Sequence, residues 1–225
     1  MNASNTPQFE RANASDYSDP WPKYAAAWLF ESVDEINLLS DELERLISEA
    51  QDERPLQDFF KQNPGLLAQL VRGGHGRWVF PKPKLGSEHV PDFMICEQDS
   101  GGYHWHLVEL ENPNYTALTK QGQQTAHLTH AIQQVKNWRI WLRDNSQYAR
   151  HELGYTNLDS EFHAIIVIGR RQEFEPGDLK VYRELSDDKV EIMSHDRLID
   201  RVISLAQGYR RLWDQWLSNH KETES

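Results

Sequence analysis

Val90-Pro91-Asp92-Phe93-Met94-Ile95-Cys96, then Asp99-Ser100-Gly101-Gly102, then Tyr103-His104-Trp105-His106-Leu107-Val108-Glu109-Leu110-Glu111 decide the fold of this 225-residue chain. The first stretch reads as a strand, the second as its turn and the third as the return strand of a β-hairpin. A turn centred between Ser100 and Gly101 pairs Gln98 with Tyr103, Cys96 with Trp105 and Met94 with Leu107. The same register sets Asp92 opposite Glu109, with Cβ atoms about 4.5–5.5 Å apart. Glu111 lies two residues beyond Glu109 and so points to the same face. Three carboxylates then converge at the end of two otherwise apolar strands. Like charges that close, shielded from water, repel. A positive partner is expected among them, and a divalent cation with oxygen ligands is the natural one.

Working outward, Arg54-Pro55 opens a helix carrying Leu56, Phe59, Phe60, Leu66, Leu67 and Leu70, broken or kinked at Asn63-Pro64. Gly73-Gly74-His75-Gly76 reads as a loop, and Trp78-Val79-Phe80 as a short strand stopped by Pro81 and Pro83. Beyond Asn112-Pro113 a polar loop leads to Thr125, an N-cap. The helix behind it has Leu128, Ala131, Ile132, Val135, Trp138 and Leu142 on one stripe and ends near Asp144-Asn145. Ala164-Ile165-Ile166-Val167-Ile168 is short, apolar and β-branched, as a fully buried strand is. Lys189 to Met193 reads as a last strand, and Ser194 as the cap of a C-terminal helix running through Trp213 and Trp216. The order is helix, helix, strands, helix, strand, strand, helix: a mixed α/β layered domain without internal repeats.

Residues 1–20, rich in Asn, Ser, Asp and Pro, read as a disordered tail. Residues 21–50 read as an amphipathic helical extension, with Leu29, Ile36, Leu39, Leu43, Leu46 and Ala50 at three-and-four spacing. Its stripe packs on the domain or, in a heptad reading, on a second copy. Eight Trp, eight Tyr and eight Phe supply apolar bulk for a core. The single Cys96 excludes an intramolecular disulfide and a Cys-rich zinc site. With no apolar run of spanning length and no leader, a cytoplasmic protein without membrane contact is expected. The net charge of −11 argues against a surface coated in basic residues for nucleic acid. Residues 1–50 hold ten acidic and three basic side chains, so the remainder carries only −4 and can accommodate a local basic groove.

The stretches Leu56-Gln57-Asp58-Phe59-Phe60 through Asn63-Pro64, Pro83 to Glu88 ahead of Pro91-Asp92-Phe93, Val108 to Pro113, Ala131 to Trp138, and Ile168-Gly169-Arg170-Arg171 together resemble the nuclease domain of the Shedu anti-phage defence family, a branch of the PD-(D/E)XK superfamily. The resemblance runs from near Glu53 to about Val202. It implies a restriction-endonuclease-like α/β fold, a mixed β-sheet core flanked by helices, across residues 51–220. It also implies a Mg²⁺- or Mn²⁺-dependent endonuclease acting on DNA, and a homo-oligomer. Asp92 and Glu109 occupy the metal-binding positions, with the main-chain carbonyl of Leu110 as a further ligand. Gln134 matches a helix position facing the carboxylates, and Glu53 a first-helix Glu directed at the metal.

The residue two after Glu109 is normally Lys in that superfamily, and here it is Glu111. Three outcomes follow: Glu111 is a third metal ligand; a basic residue from elsewhere, among Lys82, Lys84, Lys120 and Lys136, reaches in; or the site is inactive, leaving a nucleic-acid-binding or oligomerisation module. Arg170 and Arg171, with Lys82 and Lys84, are candidates for phosphate contact or, equally, solvated punctuation. His104 and His106 share a strand face turned away from the carboxylates. His127 and His130 lack a clear third ligand for zinc.

Overall fold

The computed structural model describes residues 20–24, 33–71, 75–171, 178–186 and 189–221. The disordered tail expected over residues 1–20 lies almost wholly outside them, as does Leu29. The hairpin forms in the expected register: β2 (Phe93–Asp99) pairs antiparallel with β3 (Gly102–Leu110), with Gln98 opposite Tyr103, Cys96 opposite Trp105 and Met94 opposite Leu107. β1 (Gly76–Pro81) is antiparallel to β2. On the other side β4 (His163–Val167) and β5 (Val190–Met193) add parallel to β3. The five strands lie in chain order β1-β2-β3-β4-β5, a mixed sheet with helices on both faces, as expected.

Alternation along the strands divides the core in two. Val79, Phe93, Ile95, Val108, Ile165 and Val167 face α1 (Val33–Glu49), α2 (Arg54–Gln62), α3 (Pro64–Ala68) and α6 (His195–Lys221). Phe80, Met94, Cys96, Trp105, Leu107 and Ile166 face α4 (Ala126–His151), beside which α5 (Asp178–Leu185) lays Tyr182. Trp21 enters this second core edge-on against Trp78, Phe80, Tyr103 and Trp105, and its indole N–H donates to the Gly154 carbonyl at 3.1 Å.

Asp34 and Glu35 in the first turn of α1 favour its helix dipole, and Arg45 bridges Glu42 and Glu49 along the exposed face. Its buried side, Ile36, Leu43 and Ile47 with Leu39 and Leu46, packs with Leu198, Ile199 and Val202 of α6 in one core. The described part of the stripe that a second copy would need, from Ile36 to Ile47, is thus packed against the chain itself.

As expected, the second helix breaks at Asn63-Pro64, giving α2 and α3. Two local readings are corrected. The α4 helix does not end near Asp144: Asn145 breaks the helical geometry (φ −127°, ψ 20°), its amide donates to the Trp141 carbonyl, and the chain resumes to His151. The segment Asp178–Leu185, assigned no element from the sequence, forms α5. As expected, Thr125 caps α4, accepting from the Leu128 N–H. No described helix is long and apolar enough to cross a membrane.

Candidate active site

The site forms where β2 begins and β3 ends. β3 runs out at Leu110, but Glu111 still donates its N–H to the Val167 carbonyl at 2.9 Å, so it stays beside the sheet. The following loop is fastened to the α1–α2 junction. The buried Asn112 donates from its amide to the Gln51 carbonyl and Asn114 to the Ala50 carbonyl, both at 2.7 Å. That anchorage sets the start of α2, and with it Glu53, beside the strand ends. Gly169 lets β4 close against the same loop: its φ is +69°, and a Cβ there would stand 2.7 Å from the Tyr115 carbonyl oxygen.

Asp92 immediately precedes β2 and is buried. Its Oδ1 accepts from the Gln57 side-chain amide at 2.8 Å and from the Lys82 ammonium, and its Oδ2 accepts from the Leu110 N–H at 2.7 Å. Glu109 shares the strand face of Trp105 and Leu107 and so points to the α4 side. Its Oε1 accepts from the Gln134 amide of α4 at 2.5 Å, whereas Oε2 is buried with no hydrogen-bond partner among the described residues. An unpartnered buried carboxylate oxygen costs free energy unless something not part of the chain satisfies it.

Electrostatics single out the same group. Burial foremost, then the charge of Asp92, pushes the Glu109 carboxyl well above the usual carboxylate range. Burial also raises Asp92, against the Lys82 and Leu110 hydrogen bonds that lower it. Glu111 is pushed up to about 7 by burial and by repulsion from Glu53 and Asp92. Four acids therefore sense one another across this corner. Among the described residues, no three His, Cys, Asp or Glu side chains stand grouped as a ready metal-ligand set. On Asp92 both oxygens are already engaged by protein donors.

Of the four lysines weighed for the missing position-111 ammonium, Lys82 is the one that reaches the site. It follows β1 in a left-handed backbone conformation (φ +47°), with its N–H on the Asp92 carbonyl at 2.8 Å. Such a φ costs a non-glycine residue on the order of 1 kcal/mol and persists where surrounding contacts over-determine it. Lys84, Lys120 and Lys136 are exposed. Arg170 and Arg171 are tied to α6: Arg170 pairs with Asp196 at 3.1 Å and Arg171 with Asp200.

His106 lies 2.9 Å from Glu97, and His104 2.9 Å from Asp99, both away from the carboxylates. His127 stacks on Tyr115 at 3.5 Å. Trp138 is core and Trp141 lies under Gly86. Cys96 is buried, its thiol pushed up by that burial, so it is no nucleophile. Gln57 escaped sequence reasoning as a site residue. The available signal was its position one helical turn after Glu53, which puts both on one face of α2.

A solved structure titled restriction endonuclease FokI bound to DNA resembles the chain at 13% identity and a TM-score of 0.36. The match covers 81% of this chain and 28% of that one. No curated protein matches the chain. The family described as Shedu protein SduA, C-terminal, matches residues 50–199, which include Glu53, Gln57, Lys82, Asp92, Glu109, Glu111 and Gln134, and the chain belongs to that family.

Proposed function

We propose that this protein is a Mg²⁺- or Mn²⁺-dependent DNA endonuclease of the Shedu type, acting in defence against phage, with Asp92 and Glu109 as its ion ligands. One observation carries the reading: two carboxylates are buried together, the charge of Asp92 raises the proton affinity of Glu109, and Glu109 keeps a buried oxygen that no described residue satisfies. An all-oxygen donor set of that kind suits a hard cation. The bound ion would polarise a phosphoryl oxygen and lower the pKa of an attacking water. Gln134 orients Glu109, while Glu111 and Glu53 add negative charge at the rim, and Glu111 would serve as a third ligand only by moving toward the pair.

Lys82 takes the role that position 111 has lost. Its ammonium arrives from the end of β1, neutralises Asp92 in the ion-free state, and supplies positive charge beside the scissile phosphate. Lys82 and, two residues on, the exposed Lys84 are proposed DNA phosphate contacts. Arg171, half exposed beside Asp200, could add a phosphate contact only by sharing its guanidinium, and Arg170 less so.

The test is plasmid nicking in Mg²⁺ and Mn²⁺ by purified protein. Asp92→Ala and Glu109→Ala each abolish cutting, and intact cutting by both removes the proposed roles. A second reading, a DNA-binding module with lost catalysis, draws on Glu111 and on the full engagement of Asp92. It predicts DNA retention without cutting by the wild type, and cutting restored by Glu111→Lys.

A further inference from the structure

We infer that Gln57 is a positioning residue of the carboxylate site, holding Asp92 in place for a divalent cation; this rests on the ion-site reading above. Asp92 has three donors, and they are not alike. The Lys82 ammonium is charged, half exposed and on a flexible stem, so it is the donor that an incoming cation displaces. The Leu110 N–H is fixed in β3. Gln57 is fixed by α2, whose neighbouring Leu56, Phe59 and Phe60 are buried in the core. Its amide is neutral. It can therefore orient the carboxylate without opposing the ion's charge, as an ammonium does.

A carboxylate has about four lone-pair sites. With Lys82 withdrawn, Gln57 and Leu110 occupy one on each oxygen and leave one on each for a ligand. Gln134 treats Glu109 the same way, from the opposite side of the sheet. Two amides from two helical layers thus grip the two carboxylates. Partners that orient metal ligands typically change affinity by about 10–100-fold when removed.

The experiment is a Mn²⁺ and Mg²⁺ titration of the thermal midpoint of the full chain, for wild type, Gln57→Leu and Gln57→Glu. The expected result for Gln57→Leu is that the Mn²⁺ concentration giving half the maximal shift rises about 10-fold. Gln57→Glu swaps a donor for a repelling acceptor, so its ion-free midpoint falls and its Mn²⁺-induced rise exceeds the wild-type rise. This second variant decides the matter if Gln57→Leu does not fold. A wild type that responds, beside variants with wild-type half-saturation and an unaltered rise, overturns the role of Gln57 alone. A wild type stabilised by neither metal overturns the ion site and this inference with it.

Discussion

The two ends of one hairpin carry similar acids and treat them differently. At the turn, Asp99 lies 2.9 Å from His104 and accepts the Gly101 N–H at 2.7 Å, while Glu97 meets His106 at 2.9 Å. Each acid has its own partner, and the exposed Asp99 carboxyl is held below its ordinary range by those hydrogen bonds. At the open end, the Lys82 ammonium is the cation among the described residues that pairs with Asp92 and acts on Glu109, and burial and repulsion from neighbouring acids raise Asp92, Glu109 and Glu111. An acidic cluster is not by itself a site. A shortage of counter-charge under burial is what distinguishes the open end from the turn, and a cation would relieve it.

The largest expected effect breaks or upholds that contrast directly. Glu109→Ala lowers metal-dependent nicking by at least about 10²-fold, the scale of losing a major electrostatic contributor, whereas His106→Ala at the other end leaves it unchanged. Equal losses at both ends would erase the distinction. Next comes Lys82→Met. It leaves Asp92 with only two neutral donors, and the ion-free protein loses about 1–2 kcal/mol, since one partner of the pair is half exposed. In a domain this size that is a thermal midpoint roughly 2–8 °C lower. The same measurement on Asp99→Asn at the exposed turn shows no change. Nicking by Lys82→Met falls as well, and a Lys82→Met protein that cuts at the wild-type rate would return the catalytic ammonium to an open question.

Much of this site was legible in the chain. Turn chemistry at Asp99 to Gly102 fixes the hairpin register, and strand alternation then places Glu109 on the α4 face, where Gln134 meets it. Lys82 and Gln57 could not be ranked that way. Lys82 lies ten residues before Asp92, between two prolines, and only its left-handed backbone turns the side chain back to the carboxylate. Gln57 reads as a polar residue on the wet side of an amphipathic helix. What brings it to β2 is the packing of α2 and the Asn112 and Asn114 bonds to the α1–α2 junction, contacts between segments about sixty residues apart. The α5 helix spans eight residues, about two turns, too few for periodicity to declare itself. At Asn145 the helix-ending signal was real, but packing on both sides of it carries α4 onward.

The smallest expected effect is on stability against pH, and the half-buried Glu111 and the buried His195 pull it in opposite directions. Glu111 titrates near 4.5 in an unfolded chain and about 7 in the fold, so the native state holds a proton that the unfolded chain has released. Its contribution is complete below about 4.5 and lost as pH rises through about 7. His195, at the start of α6, is buried and donates from Nδ1 to the Gly169 carbonyl, and burial lowers it from 6.5 to about 4. It favours the fold above about 6.5 and ceases to do so as pH falls toward 4. Between about 4.5 and 6.5 the two trends oppose. Above about 6.5 only the carboxylate trend remains, so the metal-free wild type should melt lower at pH 8 than at pH 6.5. Glu111→Gln removes one of the three crowded charges. It should raise the pH 8 midpoint by the equivalent of about 1 kcal/mol, a figure reduced for the partial exposure of Glu111, and flatten the slope without abolishing it, because Asp92 and Glu109 remain. Saturating Mg²⁺ should flatten the wild-type slope in the same way, since an ion replaces the protons. A Glu111→Gln slope equal to that of the wild type would mean that Glu111 already escapes the repulsion, and the open end of the hairpin would then be a pair of carboxylates rather than a triad.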